Sequence, residues 1–460
     1  MESLYKALPH FLQNLIVTIF SFSQNRKRHG KNYYQYLSYL KQIEYASFGE
    51  LEKIQNEKLV EYLKFCKKYS PFFREQLKDI DVSKGIQVLQ DIPVCSKEEF
   101  RVNIPNIITG DKNKMISSKT GGTTGNSMQV YFRIDDTQER FALLDHFRGR
   151  FGYKFGMKTA WFSGKDILND RDLAHNRFWK QDIINDIRYY STFNINKGNL
   201  IHYINDLKRY QPEYLVGFPS SIVEIAKFGL ENNISLGYKA KGIFPTAETK
   251  VEIEAKIMSE FFGCGVHDQY ASSEGACFIT ECEKGKLHFE MVSGIIEVVD
   301  DNNKPAKFGR MLITAFHTRG TPLLRYDIGD TMEWAEESNC ACGRKTPIIK
   351  AIHGRVNDYI YSKERGKCNL GNLSNCVKYV NGIRRFQAIQ NDLDKIKILI
   401  ESTEEYTDKD EKLFLSELRY RLGPKIKIEL TYVDLIPREK SGKFRIVKNL
   451  IKDEIEKISG

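Results

Sequence analysis

The sequence lacks any unbroken apolar run of the ~18 residues that a membrane-spanning helix needs. Its strongest stretch, Leu4 to Phe22, is interrupted by Pro9, His10, Gln13 and Asn14. The marks of a cleaved signal peptide are missing too: the basic cluster Arg26-Lys27-Arg28 follows the apolar part, and no Ala-x-Ala site appears. This segment reads as an amphipathic helix docked on its own domain, with attachment to a membrane surface as the alternative. The expected location is the cytoplasm. Proline is sparse, 12 residues against 32 glycines, which excludes a collagen-like or linker composition, and 12% aromatics disfavour disorder. Cysteines number 9, an odd count in a long chain without an export signal, so a disulfide framework is not expected. No internal repeat or low-complexity tract occurs. The net charge of +10, from 70 Lys+Arg against 60 Asp+Glu, is spread along the chain. That favours small anionic partners or phospholipid surfaces and gives no special indication of nucleic acid.

What is present is long enough for more than one core. At 460 residues the chain suits either about three units of ~150 residues or one large and one small domain. Residues 33–80 carry a helical period through Leu59, Leu63 and Phe65. Between 180 and 300 helical segments (Tyr203 to Tyr210, Ser221 to Glu231) alternate with short strand-like runs (Tyr214 to Gly217, Gly242 to Phe244). Such alternation predicts an α/β domain with a partly parallel sheet. After about residue 355 the texture shifts to two strands (Arg384 to Gln390, Lys395 to Glu401), a helix (Asp408 to Leu422) and a further strand (Ile426 to Val433). The reading is an α/β fold: a large amino-terminal domain, 1–354, and a small α+β carboxy-terminal domain, 355–460.

The most informative stretch is Ser117-Ser118-Lys119-Thr120-Gly121-Gly122-Thr123-Thr124-Gly125-Asn126-Ser127. Three glycines permit close backbone approach, and the exposed amides and hydroxyls of such a loop cradle phosphate oxygens. It is not a Walker A loop, because strand-like Met128 to Phe132 follows where that motif requires a helix, and its glycine spacing is not that of a dinucleotide fingerprint.

The loop resembles the phosphate-binding loop of the adenylate-forming superfamily of acyl- and aryl-CoA ligases, most closely the phenylacetate–CoA ligase branch and its CapK relatives found with capsule polysaccharide genes. Further segments match in the same order. Tyr270-Ala271-Ser272-Ser273-Glu274 resembles the family's Tyr-Gly-x-Thr-Glu, and Pro245-Thr246-Ala247-Glu248 its small-Ala-Glu turn beside adenine. Arg325-Tyr326-Asp327-Ile328-Gly329-Asp330 matches Arg-Tyr-x-x-Gly-Asp, and Gly354-Arg355-Val356-Asn357-Asp358 resembles the hinge Gly-Arg-x-Asp-Asp, with Asn357 replacing the first aspartate. Pro437 to Arg445 resembles Pro-x-x-x-Ser-Gly-Lys-x-x-Arg, the arginine coming one residue early. The resemblance implies that Ser118, Thr120, Gly121, Gly122, Thr123, Thr124 and Gly125 hold the ATP phosphates. Glu248, Tyr270 and Ser273 then surround the nucleotide, and Glu274 holds magnesium. Asp330 would accept the ribose hydroxyls, Arg355 would bond ribose or phosphate oxygens, and Lys443 would be the catalytic lysine.

Cys282 and His288, separated by five residues, and Cys340 and Cys342, separated by one, supply three sulfurs and an imidazole, a donor set that zinc favours. Zinc pins of this composition occur in some relatives, so a structural zinc is expected. Cys264 and His267 form a competing pair on an apparent buried strand, and Cys66, Cys95, Cys277, Cys368 and Cys376 read as small apolar fillers.

The implied activity is two-step. A carboxylic acid is activated by ATP–magnesium as acyl-AMP, and the acyl group then passes to a thiol, coenzyme A by resemblance. One alternative delivers it to an amine or hydroxyl of a sugar in surface polysaccharide synthesis. Another, of a different class, is a non-catalytic nucleotide-binding scaffold of that machinery. Phe141, His146, Trp161 and Phe218 are candidates for the acid pocket.

Overall fold

The computed structural model describes residues 2–119, 128–165, 167–355, 359–364, 366–369, 373, 375–377, 380–437, 444–452 and 454–455. It divides into two compact units. The first comprises residues 1–250, 257–328 and 332–351; the second comprises 352–460 together with the short segments 251–256 and 329–331.

The first unit begins with helices. Pro9 separates α1 (Glu2–Ala7) from α2 (His10–Arg28), so the amino-terminal apolar segment is two helices where the sequence suggested one. Proline's fixed φ and missing N–H suit a helix start and not an interior, which is why the break falls there. α2 docks on its own unit, as expected, but through Gln13, Thr18 and Ser21, its buried residues. Next come α3 (Lys31–Ile43), α4 (Phe48–Tyr69), α5 (Pro71–Gln76) and α6 (Lys97–Ile107). α4 starts with a reciprocal Ser47–Glu50 capping box, which satisfies two amides that a helix otherwise leaves unbonded. Its inward face, Leu59, Tyr62, Leu63 and Cys66, is buried at the 3.6-residue period read from the sequence.

A hairpin of β1 (Ile116–Lys119) and β2 (Gln129–Phe132) flanks the glycine loop, pairing Ser118 with Val130 and Ile116 with Phe132. α7 (Ile134–Gly149) follows. A six-stranded sheet holds β3 (Thr159–Ser163), β4 (Trp179–Asp182), β5 (Ile187–Ser191), β6 (Tyr214–Gly217), β7 (Gly242–Pro245) and β8 (Gly265–Val266), in the order β4-β5-β3-β6-β7-β8. All its pairings are parallel except that of the edge strand β4 with β5. The connections carry α8 (Asp170–Ala174), α9 (Leu200–Tyr210), α10 (Pro219–Glu231) and α11 (Glu252–Phe262). Every residue of β6 and β7 is buried, the pattern of parallel strands covered on both faces.

A seven-stranded sheet comprises β9 (Gln269–Tyr270), β10 (Ile279–Glu281), β11 (Leu287–Phe289), β12 (Gly294–Val299), β13 (Phe308–Ala315), β14 (Leu323–Trp334) and β15 (Ile348–Arg355). Their order is β12-β13-β14-β15-β11-β10-β9.

In the second unit β16 (Tyr359–Ser362) and β17 (Gly366–Asn369) form a hairpin. A four-stranded sheet of β18 (Ile383–Gln390), β19 (Lys395–Ser402), β20 (Lys427–Tyr432) and β21 (Val447–Asn449) runs β20-β19-β18-β21. α12 (Asp408–Leu422), capped by Thr407 and Asp410, lays Phe414, Leu418 and Leu422 into one core with Phe386, Ile396, Ile398 and Ile400. This is the α+β unit expected from the sequence.

Candidate active site and a Cys–His cluster

Two of the segments singled out in the sequence, 245–248 and 270–274, are neighbours within the first unit, one from each large sheet. Gly275 closes the Tyr270–Glu274 turn at φ +105, and a Cβ built there would lie 2.5 Å from Thr318 Cγ2 and 2.8 Å from Phe132 Cε1. Only glycine fits that approach, so the turn rests directly on the residue that ends β2, the strand leaving the glycine loop. Arg140 of α7 fastens it by donating to the carbonyls of Gly275 at 2.8 Å and Ala276 at 3.1 Å. Within the turn, the Ser272 hydroxyl accepts from the amide of Ala276 at 3.1 Å. Ser273 is exposed, and Glu274 is buried with 5% of its surface accessible.

A buried carboxylate is costly without a partner. Glu274 has one in Lys97, whose Nζ lies 3.0 Å from Oε1. Lys97 opens α6, and its side chain is 41% exposed, so the pair sits at the boundary with solvent. A hard carboxylate oxygen already facing a cation has the donor chemistry that magnesium takes.

The turn after β7 brings the Glu248 segment to the same sheet end. Ala247 adopts φ +66, and Glu248 accepts from the amide of Ser220 at 3.0 Å and its hydroxyl at 2.9 Å. The carboxylate therefore caps the start of α10, where the helix dipole favours an anion. Gln269, beside Tyr270, donates to the carbonyl of Pro245 at 3.4 Å, so this turn and Tyr270 are neighbours. Tyr270 itself is half-buried on β9, opposite Ile279.

In the Arg325–Asp330 segment the arginine is structural. It pairs with Glu297 through two bonds of 2.9 and 2.8 Å and donates to the carbonyls of Gln90 at 3.1 Å and Ile92 at 2.6 Å. Tyr326 is fully buried against Phe100, and Asp327 pairs with Arg310. Asp330 is half-buried on β14, within the segment grouped with the second unit. Ser118 is half-buried on β1. Thr120, Gly121, Gly122, Thr123, Thr124, Gly125 and Lys443 lie outside the described residues, and Arg355 closes β15. Of the acid-pocket candidates, His146 faces Glu44 at 3.6 Å and the Arg148 guanidinium lies 5.8 Å from the Trp161 ring. Phe141 stacks under Arg28, and Phe218 precedes α10. Lys97 and Arg140 escaped the sequence reading: each is an isolated basic residue whose partner is remote in the chain.

The predicted metal ligands meet. One donor atom each from Cys282, His288, Cys340 and Cys342 lies within 4.8 Å of all the others. Cys282 Sγ is 3.7 Å from Cys340 Sγ, and Cys342 Sγ is 3.6 Å from His288 Nε2. A tetrahedron at usual zinc distances has S···S edges of about 3.8 Å and S···N edges of about 3.5 Å, so the spacing fits that ion. His288 Nδ1 lies 3.2 Å from the Thr346 carbonyl, which fixes the proton there and turns the Nε2 lone pair to the cluster. Burial holds the imidazole neutral by lowering its pKa. The cluster joins the β10–β11 hairpin to the segment between β14 and β15. Arg344 adds salt bridges to Glu283 at 2.6 Å and Glu44 at 2.5 Å. Cys264 is half-buried just before β8, a strand of two residues, and His267 stacks on Phe151 at 3.5 Å. Neither joins a metal-type cluster among the described residues.

The CapK C-terminal domain family matches residues 360–450. Protein CapK of Staphylococcus aureus is 34% identical over 457 residues, covering 98% of this chain and all of that one. A crystal structure of 2-hydroxyisobutyryl-CoA ligase in the postadenylation state with 2-HIB-AMP superposes with a TM-score of 0.70 at 16% identity, covering 90% of this chain and 93% of the other. The same ligase with R3-HIB-AMP gives 0.69 at 16% identity and the same coverage. The chain belongs to the CapK family and has the adenylate-forming enzyme fold with a C-terminal domain.

Proposed function

We propose that this protein is an ATP-dependent adenylate-forming ligase with an adenylation domain at 1–354 and a lid domain at 355–460, working in the cytoplasm. The observation that carries the reading is the turn Tyr270–Glu274 seated on Phe132. It sets a buried carboxylate next to a residue in contact with β2, the strand that follows a loop whose composition suits phosphate. In the first step a substrate carboxylate oxygen attacks the α-phosphorus of ATP, and the bond to the bridging oxygen breaks to release pyrophosphate. Ser118 and residues 120–125 hold the phosphates, Tyr270 and Ser273 border the nucleotide, and Glu248 fixes the adenine-side turn by capping α10. Asp330 and Arg355 take the ribose. Lys443 supplies its ammonium to the charge that builds on the α-phosphate, a preorganised electrostatic role. Glu274 would hold magnesium, which when bound neutralises triphosphate charge; until then Lys97 keeps that carboxylate paired.

In the second step a thiol sulfur, that of coenzyme A, attacks the acyl carbonyl carbon, and the C–O bond to AMP breaks. Membership of the CapK family favours a second reading for this step alone, in which an amine or hydroxyl of a surface-polysaccharide sugar is the acceptor. The cluster of Cys282, His288, Cys340 and Cys342 holds a structural zinc, with all four positions filled by protein.

Pyrophosphate release over a panel of aryl, fatty and amino acids, each with and without coenzyme A, tests both steps. Acid-dependent release is expected, with thiol-dependent AMP release. AMP release only with an amino sugar would transfer the assignment to the second acceptor, and release with no acid would end the ligase reading.

A further inference from the structure

α2 is docked the wrong way round for a helix of a soluble domain. Its inward residues recur at the helical period and are polar: His10, Gln13, Asn14, Thr18 and Ser21. They meet β4, the edge strand of the six-stranded sheet. An edge leaves backbone amides that need acceptors. Asn14 Oδ1 accepts from the amide of Gln181 at 3.1 Å and Thr18 Oγ1 from that of Ile183 at 3.0 Å. Ser21 bonds the Tyr189 hydroxyl at 3.3 Å. Behind them Lys180, wholly buried, bonds Asp172 at 2.5 Å, His10 at 3.1 Å and Gln13. The sheet edge and this buried charge take up the polar face of α2, which forces its apolar face outward.

That outward face is continuous. Phe11, Leu15, Ile19 and Phe22 follow the i, i+4, i+8, i+11 spacing of one stripe, and Ile16 and Phe20 flank it. Phe11 is 68% exposed, Ile19 59% and Phe20 58%. The Thr18 bond to Ile183 sets the β4–β5 turn beside the stripe, adding Ile183 and Ile184, which are 65% and 62% exposed. Isolated exposed apolar residues are ordinary, but a connected patch of this kind marks a contact surface. Cations border it: Arg26 and Lys27 are exposed on the last turn of α2, and the Arg26 guanidinium lies 5.9 Å from the Phe22 ring.

We propose that α2 with the Ile183-Ile184 turn is an interfacial anchor that seats this protein on an anionic lipid bilayer surface. A helix with a bulky apolar face and Lys/Arg beside it lies in the headgroup plane, its apolar side chains reaching the acyl boundary and its cations at the phosphates. The face does not span the membrane: among the described residues no helix is long and apolar enough to cross one. The anchor is separate from the ligase chemistry and does not rest on it.

The test is sedimentation of the full chain with phosphatidylcholine vesicles, with and without phosphatidylglycerol. The protein should pellet only with the anionic vesicles and be released by high salt, as surface electrostatics require. Arg26→Gln with Lys27→Gln should weaken binding about fivefold per cation removed, about 25-fold together. Leu15→Glu with Ile19→Glu should abolish it without lowering the melting temperature, since both side chains face outward. Ile19→Trp should shift its emission to the blue on anionic vesicles alone. The proposal fails if the protein stays in the supernatant with both vesicles, or if Leu15→Glu with Ile19→Glu binds as the wild type does. It also fails if that variant splits a dimer in solution while vesicle binding is absent, which would give the face to a second copy.

Discussion

Replacing Lys180 by methionine removes the cation from a carboxylate that water cannot reach. The side chains of Lys180 and Asp172 are 0% and 1% exposed and lie 2.5 Å apart. Burial alone would raise the Asp172 pKa, but hydrogen bonds from His10 and Lys180 outweigh it and hold the carboxyl down at about 2. A fall from the ordinary 3.8 to about 2 corresponds to ~2.5 kcal/mol of preference for the charged form. Breaking a buried pair from one side costs up to about 3–5 kcal/mol, and here the remaining charge keeps His10 at 3.1 Å and the Arg177 guanidinium at 3.7 Å. At about 2 °C per kcal/mol for a large unit, Lys180→Met should lower the melting temperature by up to about 6–10 °C at neutral pH. Adding Asp172→Asn should recover most of that loss, since a neutral amide no longer needs a cation. The sign of the pH dependence follows: the folded pKa is depressed, so the stabilisation is complete above about pH 4 and disappears as the pH falls toward 2. The gap between wild type and Lys180→Met should close over that window in calorimetric scans. A melting shift below about 2 °C, or a double variant no better than Lys180→Met, would refute the account of how α2 is held.

Three further outcomes follow from the site. Cys342→Ser should reduce bound zinc from one equivalent to none by metal analysis of the purified protein and lower its melting temperature; full zinc occupancy in the variant would remove the cluster from consideration. Arg325→Lys should destabilise by about 1.5–3 kcal/mol in urea unfolding, because lysine keeps the charge but cannot reproduce the two-pronged pairing with Glu297. Asp330→Asn should leave stability nearly unchanged and raise the KM for ATP.

The reach of the sequence depended on how local the cause was. Strand and helix alternation from 203 to 244 and the α+β pattern after 383 were legible because apolar periodicity reports which face is buried. The Cys–His cluster was legible from donor chemistry, although Cys282 and Cys340 are far apart in the chain. The roles of Arg325 and Glu248 were not. Both sit inside matching motifs, yet one is consumed by Glu297 and two carbonyls and the other by the start of α10, partners that no spacing announces. Lys97 was invisible for the same reason, since Glu274 lies 177 residues away. The orientation of α2 was the least legible feature. Its amphipathicity is plain in the sequence, but whether the apolar or the polar half turns inward was decided by the β4 edge and the buried Lys180–Asp172 pair.

The central claim is acid activation through an adenylate, and the half-reactions of Lys443→Ala test it most directly. Wild-type protein should release pyrophosphate from ATP only when a carboxylic acid is supplied, and the variant should do so slower by orders of magnitude while passing a ready-made acyl-adenylate to the thiol at nearly the wild-type rate. Equal slowing of both steps, or pyrophosphate release indifferent to acid, would contradict it.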